Sequence, residues 1–449
     1  MTRRQNRTGP LLAALAAGLA GCGSPPPVSI RDLHARDADF APDTGTAAGD
    51  TREAILAKAE LTLADILALA DACNPGLAAS RSDLDVAAAD IWDAGLYPNP
   101  GLSLAMEDIP VRGGSQWSRS TRVAGLSVPV VLSGRLGASR SAAERARDAV
   151  ALAYIWRRRE ILAEAKRAWV AVLASKQRLE VARETRDIAQ RLRDATKERH
   201  DAGAIPEMEL LKASVVFAQA ETEMRTIERD LAISMRALDA AVGGVDVPAP
   251  KVSGALATRF EVPPLETLRA AALVRHPLVA AAETSRDAAL LEAGAARRGA
   301  IPDLEVQAGI GRSGEEETFL EAGIGVPIPL FDRNQGKVAG AEARAARAGH
   351  EAEAARIEAV LRVSEAYENA IEAQSRSSAI HDLILPEAQK AIDQTNDGYQ
   401  LGKFIYLDVL DAQRTLAEAR AGYVEALADL NQAVVDLEKA AGVRIEPGR

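Results

Sequence analysis

The sequence predicts a mainly α-helical protein with a membrane β-barrel part, built as two tandem repeats. Three observations carry this. First, the 449-residue chain says nearly the same thing twice. Asn74-Pro75 returns as His276-Pro277 and Pro100-Gly101-Leu102-Ser103-Leu104 as Pro302-Asp303-Leu304-Glu305-Val306, both 202 residues on. Val128-Pro129-Val130 returns as Val326-Pro327-Ile328, 198 on. Gly203, ahead of Glu209-Leu210-Leu211-Lys212-Ala213, returns as Gly402 ahead of Asp408-Val409-Leu410-Asp411-Ala412, 199 on. A period this long excludes a solenoid, so each half is expected to be a whole folding layer. Second, each half holds helical patterns several times the ordinary length. Third, each half holds two short segments of alternating apolar and polar residues, the period of a strand.

The elements follow in order. Arg3, Arg4 and Arg7 precede a short apolar run, Leu11 to Ala20, too short to span a bilayer and patterned as a signal peptide over residues 1–21. It ends in Leu19-Ala20-Gly21-Cys22, which resembles a bacterial lipobox, so Cys22 is the expected lipidation site. Gly23 follows in place of the aspartate that resembles an inner-membrane retention signal, implying delivery to the outer membrane; each buried methylene of an acyl anchor contributes about 0.8 kcal/mol. Residues 22–60, with Pro25-Pro26-Pro27, read as a tether from lipid to folded body.

The first repeat is placed at 61–244: helices near 62–73 and 76–96 broken at Asn74-Pro75, strands at 101–107 and 121–132, a helix from about Gly134 to His200, a turn through Gly203 and Pro206, and a helix to about Val242. Residues 245–263 are a linker. The second repeat, 264–442, has helices near 265–275 and 277–299, strands near 303–311 and 318–328, and helices from about 333 to 399 and 405 to 441, before a tail at 443–449. A helix of about 65 residues at 1.5 Å each is close to 100 Å long and needs a partner along its whole extent. The expected seams are Leu416, Arg420, Tyr423, Leu427, Leu430, Val434 and Leu437, and Val181, Thr185, Ile188, Leu192 and Ala195, in coiled-coil spacing. Arg420 interrupts the first.

In the strands, Leu304, Val306, Ala308 and Ile310 face one way and Glu305, Gln307 and Gly309 the other; Leu320, Ala322, Ile324 and Val326 alternate with Glu321, Gly323 and Gly325. A half-buried soluble sheet and a transmembrane barrel share this alternation. The lipobox and the long helices favour the barrel. Four strands cannot close one, since small barrels need about eight, so several subunits must contribute; three copies give a 12-stranded barrel.

Composition excludes several functions. The net charge of −10 becomes −13 once the three leader arginines are removed, a poor match to nucleic acid. With Cys22 lipidated, Cys73 is alone, which leaves neither an intrachain disulfide nor a cysteine metal cluster. Scarce aromatics and abundant alanine suit closely spaced helices. His34, His200, His276, His350 and His381 include no pair at ligand spacing, so no metal site and no cofactor are expected. Gly309-Ile310-Gly311-Arg312-Ser313-Gly314 lies between strands and lacks the helix a nucleotide loop needs. Glu315-Glu316-Glu317 reads as a solvated external loop. No nucleophile–base arrangement is legible, and the chain is not read as an enzyme.

The duplicated layout, the junction Val326-Pro327-Ile328-Pro329-Leu330-Phe331-Asp332-Arg333-Asn334-Gln335-Gly336, and Leu401-Gly402 followed by Leu407-Asp408-Val409-Leu410-Asp411-Ala412-Gln413 resemble the TolC family of outer-membrane efflux ducts over essentially the whole mature chain. Pro98-Asn99-Pro100-Gly101-Leu102-Ser103-Leu104 with Glu107-Asp108, and the Pro-Leu-Phe-Asp-Arg-Asn-Gln-Gly junction, are similar to its cobalt–zinc–cadmium branch; the lipidated cysteine is equally typical of drug and copper–silver ducts. The resemblance implies a homotrimer with a helical tube in the periplasm of a Gram-negative bacterium, meeting a periplasmic adaptor (membrane fusion protein) and an inner-membrane RND pump.

The resemblance further places Asp408 and Asp411 at the periplasmic entrance. Three apart, they point nearly the same way on a helix, and a trimer would turn each into a ring of three carboxylates. Glu209 and Lys212 stand at the matching positions of the first repeat, where Lys212 can pair with a carboxylate and hold the tip shut. Without the resemblance, all four read as a solvated helix face. Gly203, Pro206, Gly402 and Lys403 mark the turns expected to touch the adaptor. The function read here is a passive exit duct for heavy-metal cations. The alternatives are the same duct for drugs or organic compounds, a structural periplasmic coiled-coil lipoprotein, and, remotely, a periplasmic hydrolase.

Overall fold

The computed structural model describes residues 52–109, 120–313, 317–401 and 403–448. The leader, Cys22, most of the tether, Gly402, and Glu315 and Glu316 of the acidic loop lie outside them. The element order is α1 (Arg52–Ala57), α2 (Leu63–Cys73), α3 (Pro75–Gly95), β1 (Gly101–Glu107), β2 (Thr121–Val130), α4 (Arg135–Asp201), α5 (Glu207–Ala241), a short 3-10 turn at Ala249–Lys251, α6 (Leu265–Arg275), α7 (Pro277–Arg298), β3 (Leu304–Arg312), β4 (Thr318–Gly325), α8 (Gln335–Ala379), a π turn (Ile380–Ile384), α9 (Leu385–Gln400) and α10 (Tyr406–Ala441).

Two compact units result, and they are not the two repeats. One takes Ser82–Val150 and Glu283–Gly349; the other takes the described residues up to Arg81, Ala151–Ala282 and His350–Arg449. Each unit draws matching parts from both halves, which corrects the expectation that a half is a layer by itself. The physical reason is visible in the sheet. Its order is β1-β2-β3-β4, antiparallel throughout, so β2 of the first repeat pairs directly with β3 of the second, Val128 opposite Val306.

Within the first unit the register sorts the side chains by face. Leu102–Leu126–Ala308–Ala322 and Leu104–Ala124–Ile310–Leu320 are cross-strand rows on one face; Ser103–Gly125–Gly309–Glu321 and Ser127–Gln307–Gly323 are rows on the other. The apolar face is open: Leu102, Leu104, Leu320 and Ile324 are each at least 75% exposed. Among the described residues β1 and β4 each pair on one side only, leaving two edges available to pair with another chain. β4 ends at Gly325, three residues short of expectation, because Pro327 and Pro329 lack the N–H a ladder needs. Arg135 binds Asp303 at 2.7 Å and Asn334 Nδ2 donates to the Ala296 carbonyl at 2.7 Å, fixing the strand-to-helix junctions.

The second unit is helical. Val363, Ala366, Ala370 and Ala373 of α8 pack against Leu430, Val434, Leu437 and Ala441 of α10, with Leu268 and Ala272 of α6. Alanines on one side of this heptad-spaced seam let the helix axes approach. Arg420, which interrupts the seam in sequence, donates to Glu184 at 2.9 Å and to Gln389 at 3.3 Å, linking α10 to α4 and α9. The other expected seam is displaced. Val181, Thr185, Ile188 and Leu192 are only half-buried and Ala195 is exposed; the buried stripe is Leu179, Ala182, Ala189 and Thr196, of which Leu179 and Ala182 pack with Ile227 of α5.

Three further differences have local causes. The helix expected from 333 to 399 is divided at Ile380–Ile384, where Leu385 donates to the Ile380 carbonyl five residues back. Pro386 follows immediately and has no N–H to continue the ladder, so one turn widens. Folded structure begins inside the expected tether: α1 buries Ile55, Lys58 pairs with Asp65 at 2.6 Å, and Leu61 bridges to Val252. The C-terminal segment is pinned to the linker, since Phe260 bridges to Pro447 and Ile445, 3% exposed, donates to Glu438.

Candidate functional site

The turn that ends α4 and the turn that ends α9 are built alike. Gly203 adopts φ +72° and Ala204 donates to the Arg199 carbonyl at 2.9 Å; 199 residues on, Lys403 donates to the Gly398 carbonyl at 2.8 Å. These six-to-one bonds close a helix end. In the second turn Phe404 folds back over Gly398, where a Cβ would come 2.2 Å from its ring. Arg199 donates to the Tyr399 hydroxyl and its guanidinium lies 5.8 Å from the ring centroid, joining the two helix ends.

Both following helices then start alike. Pro206 and Ile405 are the N-caps, so Glu209 and Asp408 are both the third helical residue, and Lys212 and Asp411 both the sixth. Equal position does not give equal bonding. Asp408 accepts the N–H of Ile405 at 2.9 Å, the reciprocal half of a capping box. Pro206 has no N–H, so Glu209 has nothing to cap. Among the described residues its carboxylate is the uncommitted one of the pair, although it is the more covered residue.

Asp411 accepts from Arg414 at 2.8 Å, one turn along, with both side chains about two-thirds exposed. Arg414 was not singled out in the sequence, although its i,i+3 spacing from Asp411 is a legible signal. Among the described residues, Lys212 makes no ion pair with a carboxylate, so the closing contact expected of it is not made within one chain. Around the turns the surface is apolar: Met208 is 59%, Leu401 71% and Ile405 64% exposed. Gly203, Pro206 and Lys403 are exposed at the same ends. Among the described residues no group of three His, Cys, Asp or Glu side chains is placed to hold a metal ion, and no helix is long and apolar enough to cross a membrane.

Duplicated long helices, a four-stranded sheet with one apolar and one polar face, and paired helix turns carrying carboxylates are the features on which the comparison with known proteins bears. The family model for the outer membrane efflux protein matches residues 66–244 and again 268–443, and the chain belongs to that family. It is 31% identical over 383 residues to the cobalt-zinc-cadmium resistance protein CzcC of Cupriavidus metallidurans, covering 85% of this chain and 90% of that one. It is 27% identical over 300 residues to the pyoverdine export outer membrane protein OpmQ of Pseudomonas aeruginosa, covering 63% and 61%. Among solved structures, the transmembrane channel CusC superposes with a TM-score of 0.72 at 19% identity, over 85% of this chain and 92% of that one.

Proposed function

We propose that this protein is the outer-membrane exit duct of a tripartite, RND-type efflux system and that it passes heavy-metal cations out of the cell. The observation that carries the cargo is the likeness to CzcC along nine-tenths of that protein's length. In this reading three chains assemble through the free edges of β1 and β4 into a 12-stranded barrel, apolar face to lipid and polar face to lumen, and their helices form a tube in the periplasm. Residues 61–244 and 264–442 are the two duct repeats, joined by 245–263. Cys22 carries the lipid anchor, and residues 1–21 are removed.

The entrance is electrostatic. Rings of Asp408 and Asp411 present carboxylates to an incoming cation, and Lys212 of one chain meets a carboxylate of the next when the tip is shut. Glu209, free of any cap, is the partner this fold makes available. The apolar collar of Met208, Leu401 and Ile405, around Gly203, Pro206, Gly402 and Lys403, receives the periplasmic adaptor, to which the inner-membrane pump is coupled. The chain binds no cofactor and performs no reaction; the pump supplies the energy.

Export of an organic compound is the second reading, supported by the likeness to OpmQ. Deleting the gene in its host separates the two. Hypersensitivity to zinc, cobalt or cadmium with raised cell-associated metal supports the first; sensitivity to organic compounds with normal metal content replaces it with the second.

A further inference from the structure

β2 and β4 are equivalent strands, Val128-Pro129-Val130 returning as Val326-Pro327-Ile328, but they are not paired alike. Towards β1, the ladder of β2 stops at Ser127, two residues before Pro129; towards β3, the ladder of β4 stops at Gly325, two residues before Pro327. On its other side β2 runs on against β3 through Pro129 to Val130. A proline fits a strand where its nitrogen is turned away from the partner. Among the described residues the other side of β4 has no partner, and Val326, Pro327 and Ile328 lie beyond its last paired residue.

β1 has the complementary gap. Leu104 is 79% exposed, whereas its counterpart Val306 in β3, flanked on both sides, is 38% exposed. Ile328 is 77% exposed, whereas its counterpart Val130 is half-buried. The contact of β2 with β3 inside the chain is thus a template for a contact between chains, in which β4 stands for β2 and β1 for β3. The two hairpins cannot serve, because a turn sets their register. They also differ: Ser127 faces Gly101, whereas its counterpart Gly325 faces Glu305, two residues beyond the counterpart of Gly101.

We infer that β4 gains Val326, Pro327 and Ile328 on assembly and pairs with β1 of a second copy of this chain in the register of β2 with β3: Val326 opposite Leu104, Ile328 opposite Leu102 and Ile324 opposite Met106. The inference rests on the proposed trimeric barrel and assigns the residues that close it. All six side chains lie on the apolar face, which then runs unbroken across the seam. Pro327 falls opposite Ser103, as Pro129 falls opposite Glu305 within the chain. A slip of one residue would turn apolar positions to the polar face. The competing registers are therefore slips of two, with Val326 opposite Leu102 or Met106.

The test is disulfide formation in the intact trimer in a Cys73→Ser background, with Val326→Cys combined in turn with Leu104→Cys, Leu102→Cys or Met106→Cys. Directly opposite Cα atoms lie about 4.5–5.5 Å apart, within disulfide reach, whereas a slip of two residues separates them by about 8 Å or more. Within one chain the two positions sit on opposite edges of the sheet, three strand spacings or about 14 Å apart, so a bond joins two chains. Oxidation should give a covalent trimer on non-reducing denaturing gels with Leu104→Cys, at least tenfold above the other two pairs. Ile324→Cys with Met106→Cys reads the same register where the first pair assembles poorly. A higher yield with Leu102→Cys or Met106→Cys overturns the register. No bond from any pair in trimers that conduct overturns the pairing alone, whereas a chain that forms neither trimer nor channel refutes the duct and this inference with it.

Discussion

Asn74 and His276 occupy equivalent corners of the two repeats and make the same bond: Asn74 Oδ1 accepts the N–H of Gly76 at 2.8 Å, and His276 Nδ1 accepts that of Leu278 at 3.3 Å. Each side chain starts the helix that follows it. Their other ends differ. Asn74 Nδ2 donates to the Ala241 carbonyl at 2.9 Å, whereas His276 Nε2 is buried without a hydrogen-bond partner and the ring stacks on Trp156 at 4.8 Å.

His276 is therefore held neutral. Burial, then the nearby Arg159 and Arg362, lower its pKa from 6.5 to about 4. A folded value below the unfolded one means that the unfolded chain takes up the proton first. The contribution is complete above about pH 6.5 and is lost as pH falls towards 4, at most about 3 kcal/mol. Thermal unfolding midpoints followed by circular dichroism should fall across this window in the native protein. His276→Asn, which copies the first repeat, should flatten the slope; an unchanged slope would assign it to carboxylates elsewhere.

Asp408 caps α10 and, in the proposed entrance, also presents a charge to the cation; two substitutions separate these. Asp408→Asn keeps an oxygen to accept the Ile405 N–H and removes the charge, so stability should hold while cation preference falls. Asp408→Ala loses both, with roughly 1 kcal/mol of helix-start stabilisation gone. Thermal melts and reversal potentials in planar bilayers read the two effects independently.

Arg414 offsets the charge of Asp411. Removing only the acid, in Asp411→Asn, leaves a ring of guanidiniums and should shift reversal potentials towards anions further than Asp408→Asn does. Arg414→Gln should shift them the other way. If Asp411→Asn and Arg414→Gln give the same potentials, these side chains do not face the conduction path.

The left-handed glycines just beyond α5 and α10 provide a stability test. Gly243 and Gly442, 199 residues apart, have φ +97° and +69°. A Cβ on Gly243 would lie 2.5 Å from the Cys73 carbonyl oxygen, which is backbone and cannot yield; on Gly442 it would meet only the end of the Arg159 side chain, at 2.7 Å. Gly442→Ala should cost about 1–2 kcal/mol, the left-handed penalty alone. Gly243→Ala should cost more, and comparing the melting temperatures of the two variants checks the order.

Arg158, 3% exposed, holds Asp71 with two bonds of 2.7 and 2.9 Å. Truncation to Arg158→Ala strands the carboxylate at a mostly covered position and should destabilise by about 3 kcal/mol. Double substitution with Asp71→Ala should recover part of that loss, which a thermal-melt double-mutant cycle would measure.

Much of this architecture is legible in the chain because local chemistry writes it. Alternation gives β1 and β3 to within a residue, and Asn74-Pro75 and His276-Pro277 give the helix breaks. What sequence periodicity does not carry is pairing between distant positions. Nothing near Arg420 announces Glu184, 236 residues away, and the bridge from Phe260 to Pro447 is a backbone contact with no side-chain signature. Pro386 is a local cause of the π turn, but the helix formers around it give the segment an unbroken helical pattern, and the division is not read from it. At the candidate site the repeat locates Glu209 and Asp408; only the missing N–H of Pro206 explains why their bonding differs.

Whether this chain builds a duct is decided by purified trimers reconstituted in a planar bilayer. Discrete single-channel steps are expected, with cations more permeant than anions and the preference weakening in Asp408→Asn. A correctly assembled trimer that carries no current under any applied voltage, with or without its adaptor, would contradict the duct.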